Sequence, residues 1–143
     1  MYLIDAGARI DVWDMHGRTP IYMAIDMNSF RGGGGFGGPI APPTPNRFAA
    51  LDVARRLIDL GVRGNHELTR MRPNGPGRGR FADYMMRGGT GPLMIAALSH
   101  DNDAIELLLA NGAEVDLPNV FRITPLMAAA GLSGTGRAGG GRS

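Results

Sequence analysis

One spacing recurs along this chain and limits what it can fold into. Gly7 stands 13 residues before Pro20, and Gly112 stands the same 13 residues before Pro125. Each proline opens a similar phrase: Thr19-Pro20-Ile21-Tyr22-Met23-Ala24 and Thr124-Pro125-Leu126-Met127-Ala128-Ala129. A third copy, Gly91-Pro92-Leu93-Met94-Ile95-Ala96, puts Pro92 33 residues before Pro125. Self-similarity at a fixed period marks a supersecondary unit that buries its apolar face only against its neighbours. The first interval, from Pro20 to Pro92, is 72 residues, 39 beyond one period. Pro20 to Gly61 takes 41 residues where Pro92 to Gly112 takes 20. Gly61 to Pro92 takes 31 where the other units take 13. These two excesses account for the whole surplus, so the chain reads as one unit carrying two insertions.

Local chemistry supports the alignment. Threonine before Pro20 and Pro125 is suited to an N-cap, with proline at the first helical position, where no N–H is needed. Leu51, Ala54, Leu57 and Ile58 recur at helical spacing, while Arg55, Arg56 and Asp59 face away; Ile105, Leu108 and Leu109 repeat the apolar face. Gly61 and Gly112 follow these stretches where a left-handed cap is wanted. Helices are expected near 20–28, 47–60, 92–99, 102–110 and 125–131. Residues 1–6 read as the last turns of another helix, and 7–19 as a turn-rich finger. A short helix is expected around Phe81–Met86.

A period of ~33 residues with Thr-Pro-Leu opening a helix resembles the ankyrin-repeat family. The resemblance covers two complete repeats plus partial repeats at both ends. It implies an all-α helical solenoid with turn or β-hairpin fingers and long Gly/Pro- and Arg-rich loops. The repeat domain is expected over 1–131, with insertions at 29–45 and 62–90, followed by a Gly-rich disordered tail over 132–143. The chain departs from the family where histidine usually follows Thr-Pro-Leu, carrying Tyr22, Met94 and Met127 instead. Gly91 replaces the capping threonine, with Thr90 one position early, which leaves the cap of that helix in doubt. Arg122 stands where Gly17 and Gly89 hold the turn glycine, so the third finger is expected to be distorted. The partial units at both ends point to a fragment of a longer repeat protein.

Composition removes several kinds of chemistry. The chain has no cysteine, which excludes disulfides, thiol nucleophiles and cysteine-ligated metals. His16, His66 and His100 are far apart, so no metal site is expected. His66-Glu67 lacks the second histidine that a zinc protease needs. Gly134, Gly136 and Gly139 match a dinucleotide fingerprint as text, but no strand precedes them. Asp101 and Asp103 read as helix-capping acids. Met94 and Met127 read as packing residues. No apolar run approaches the ~18 residues of a membrane span, and no signal peptide is visible. No cofactor is expected. All fifteen basic residues are arginine, against thirteen acids. Arg63–Arg87 carries six arginines and two acids. Arg70, Arg72, Arg78 and Arg80, near Phe81 and Tyr84, offer anion or nucleic-acid contact, weighed against the favoured reading of a solvated insertion.

The resemblance implies non-catalytic protein–protein recognition, the partner being another protein and nucleic acid a lesser alternative. The family's variable contact positions fall on Trp13, Met15, His16 and Arg18 in the first finger. In the last they fall on Pro118, Val120, Phe121 and Ile123. Trp13 is balanced between contact and packing against the neighbouring finger, while Phe121 and Ile123 lean toward burial. A regulatory module within a larger enzyme is the other alternative. Compartment and oligomeric state are left open by the residues.

Overall fold

A computed structural model describes residues 2–29, 49–65, 67 and 88–130. Within them lie six helices: α1 (Tyr2–Asp5), α2 (Pro20–Ser29), α3 (Ala50–Asp59), α4 (Pro92–Leu98), α5 (Asn102–Ala110) and α6 (Pro125–Ala129). No strand occurs among the described residues. The expected helices are present, with ends shifted by a few residues at most. Of the insertion expected at 29–45, Ser29 belongs to α2 and the rest lies outside the described residues. So do residues 68–87 of the insertion expected at 62–90, the expected helix at Phe81–Met86 and the tail expected over 132–143.

The three proline-opened helices form one row, with α2 against α4 and α4 against α6. The first two pair with the helix that follows them, α2 with α3 and α4 with α5. The starts obey the sequence chemistry. Thr19 Oγ1 accepts from Tyr22 N at 3.3 Å, and Thr124 Oγ1 accepts from Met127 N at 3.4 Å. Gly91 gives α4 no side-chain cap, and Pro92 occupies its first turn. Asp101 caps α5 by accepting from Ala104 N at 3.2 Å.

The ends of α1, α3 and α5 are equivalent. The amides after each helix fold back on its last carbonyls, as in Ala113 N to Leu108 O at 3.0 Å and Val62 N to Leu57 O at 3.1 Å. This is the Schellman arrangement, which needs a left-handed residue. Gly112 supplies it at φ +81°. α1 therefore ends in the same way as α3 and α5.

One core runs between the helix pairs. Ile21, Tyr22, Ile25, Leu57, Ile95 and Leu108 are its largest fully buried apolar side chains. Tyr22, at the family's histidine position, is buried among them. Met94, the next copy, joins a second cluster with Ile123 and Ala128. Met127, the third copy, is 44% exposed, and Leu126 is 73% exposed. No described helix lies beyond α6 to cover them. The same cause corrects Leu109, expected on the buried face but 40% exposed. α5 is the last helix of its kind among the described residues.

Polar clamps join the units. Asp101 Oδ2 accepts from Asn28 Nδ2 at 2.8 Å and from Ser29 Oγ at 2.9 Å, tying α5 to the end of α2. Asn65 donates to Gly112 O at 3.1 Å and accepts from Glu114 N at 2.8 Å. The Asp101 bond satisfies the Ser29 hydroxyl, which packing would otherwise leave without a partner.

Candidate functional site

The finger turns are built by one device used twice. In the first finger, Asp14 Oδ1 accepts from the backbone of His16 and of Arg18, both at 2.9 Å. In the third, Asn119 Oδ1 accepts from Phe121 N at 2.9 Å and from Ile123 N at 3.1 Å. The backbone closes identically. Asp14 N donates to Arg18 O at 3.1 Å, and Asn119 N donates to Ile123 O at 3.0 Å. A side-chain oxygen that gathers amides two and four residues on fixes the loop without a sheet.

The third finger is thus regular, contrary to the sequence expectation. Arg122 does not distort it. The residue adopts the left-handed backbone itself, at φ +61°, beside +84° at Gly17 and +82° at Gly89. The turn has only a few bonds to give, and the Asn119 network holds them against the local steric cost at Arg122.

The second and third fingers touch. Val120 N donates to Gly88 O at 3.0 Å. A Cβ on Gly89 would lie 2.9 Å from Asn119 Cα and 3.0 Å from Val120 N. Glycine is required there for both its backbone angle and its close approach.

The expected contact residues separate into three groups. Trp13, Met15, Val120 and Phe121 stand 62%, 71%, 63% and 49% exposed, so both fingers show apolar tips. Pro118 is also exposed, and His16 is half-buried. Arg18 is committed to its own finger. Its Nε donates to Asp14 Oδ2 at 2.7 Å, and its Nη2 sits 2.6 Å from the same oxygen. Ile123 is 9% exposed and packs with Met94 and Ala128, so burial removes it from the contact surface. Arg70, Arg72, Arg78 and Arg80 lie outside the described residues.

Asp14 also titrates well below an ordinary carboxylate. Desolvation raises its pKa, but hydrogen bonds from the Arg18 side chain and from the backbone of Arg18 and His16, with the Arg18 charge, outweigh it. The result is lowered from 3.8 to about 2. Its carboxylate is a structural acceptor rather than a proton donor at neutral pH.

Sequence reasoning missed two features. An open cleft of about 630 Å³ lies beside Trp13, between the loops that follow α1 and α3, with Arg9, Asp11, Leu60 and Arg63 on its walls. Its residues belong to loops distant in sequence, so only the stacking brings them together. Arg122 was legible as a departure, yet its exposure was not. No group of three or more His, Cys, Asp or Glu suited to a metal occurs among the described residues. No described helix is long and apolar enough to cross a membrane.

No curated protein matches the chain. The family model described as ankyrin repeat matches residues 88–120. That span runs from the second finger through α4 and α5 into the third, and the finger turns and glycine-capped helix ends at its edges recur elsewhere in the chain. Residues 88–120 are thus similar to an ankyrin repeat.

Proposed function

We propose that the chain is a non-catalytic protein–protein interaction scaffold, with the finger tips as its contact surface. The observation that carries the reading is the exposure of Trp13, Met15, Val120 and Phe121 on turns locked by Asp14 and Asn119. Aromatic side chains dominate interface energies because they bury much area at little entropic cost. A turn whose amides are already bonded loses little further freedom on binding.

Affinity purification with the tagged full chain tests this reading. A partner held by wild type and by Arg55→Ala, a change on the exposed face of α3, but weakened roughly 5- to 30-fold by Trp13→Ala or Phe121→Ala supports it. A partner held equally by all four proteins defeats it.

A further inference from the structure

We propose that Arg122 ends the row of fingers and serves as the anchor for an acidic residue of the partner. The inference rests on the interaction reading above and names the chemistry that the third finger recognises.

Three positions share one place in the turn: Gly17, Gly89 and Arg122. All three are left-handed, a conformation that a Cβ disfavours. At Gly89 the following finger occupies the space where a Cβ would stand, with Asn119 Cα only 2.9 Å away. Arg122 fills that equivalent space with a side chain, and it is exposed. A fourth finger in the same register would collide with it. The third finger therefore offers its outer side to something other than a further finger. A strained non-glycine residue held in place by its surroundings is a pointer to function.

Charge then selects the occupant. In the turn of the first finger, Arg18 is paired with Asp14. In the third finger Asn119 stands in place of Asp14. It keeps the amide-gathering oxygen but brings no charge. Arg122 is left with no carboxylate within ion-pair reach among the described residues. Val120 and Phe121 precede it directly, both largely exposed. One guanidinium beside two apolar side chains suits a carboxylate flanked by an aliphatic or aromatic residue, which it can grip through two parallel bonds. A polyanion would call for several clustered cations instead.

Random-peptide display on the immobilised full chain is the test, with melting curves to confirm that each variant folds. Wild type is expected to enrich peptides carrying Asp or Glu next to an apolar residue. Arg122→Glu should weaken those peptides at least tenfold and select Lys or Arg at the acidic position. Arg122→Gly should raise the melting temperature yet weaken the same peptides, a split that a purely structural arginine would not produce. Peptides that need Phe121 but bind Arg122→Glu unchanged overturn this inference and leave the scaffold reading intact. Enrichment of no peptide by any version overturns both. Binding of a single-stranded oligonucleotide that depends on Arg122 also overturns the proposal, in favour of nucleic acid.

Discussion

Gly89→Ala and Gly112→Ala form a matched pair that isolates the contact between fingers. Both glycines are left-handed, at φ +82° and +81°. Alanine at either position carries the same local penalty, about 1–2 kcal/mol. The surroundings differ. A Cβ at Gly112 meets nothing within 4 Å, whereas at Gly89 it meets three backbone atoms of the third finger between 2.9 and 3.1 Å away. Backbone cannot rotate aside as a side chain can, so the finger must shift and the Val120-to-Gly88 bond must stretch. Overpacking of this kind costs roughly 1–3 kcal/mol. Gly112→Ala should therefore lose about 1–2 kcal/mol, and Gly89→Ala about 2–5 kcal/mol. Urea unfolding followed by far-UV circular dichroism reads both. The difference between the two variants, rather than either value alone, reports the clash. Equal losses, within about 0.5 kcal/mol, would refute the close packing of the fingers.

The remaining predictions concern the core, a clamp and a titration. Leu57→Ala, at a side chain only 1% exposed, should cost about 2–5 kcal/mol, enough to unfold much of a short repeat stack at 25 °C by circular dichroism. Asp101→Ala removes the α5 cap and the acceptor for Asn28 and Ser29, and should cost about 2–3 kcal/mol in urea unfolding, with Asp101→Asn restoring part of it. Because Asp14 titrates lower in the folded chain, its contribution is fully present above the unfolded value near 3.8 and is lost as pH falls toward about 2. Melting temperatures between pH 5 and 2 should fall more steeply for wild type than for Asp14→Asn, and parallel curves would contradict the assigned ion pair. At neutral pH, Asp14→Asn should keep the finger turn, because Asn119 performs that task in the third finger.

Much of the fold was legible in the residues. Helix starts were marked by Thr19-Pro20 and Thr124-Pro125, and helix ends by Gly61 and Gly112. Each mark acts through bonds that span three to five residues, so the local sequence contains the whole instruction. The 13- and 33-residue spacings then fixed how the units align. The contact surface was legible only in outline. Trp13, Met15 and Val120 are exposed at the positions the family resemblance implied, and Ile123 is buried, as its leaning had it. Phe121 is 49% exposed against the burial favoured for it, and Arg18 is tied to Asp14. Arg122 looked like a defect in the turn. A position in sequence does not say whether the next unit covers it.

That division has a physical basis. The sequence by itself determined the repeating unit, its helices, their caps and the absence of thiol chemistry, all set by backbone and side-chain rules that operate between near neighbours. Stacking alone decided which equivalent positions are covered: Tyr22 and Met94 are buried and Met127 is not. It also decided that Gly89 must be bare and that Arg122 can bear a side chain. Burial in a solenoid depends on the unit that lies beside a residue, and that neighbour is chosen by the packing of whole helices.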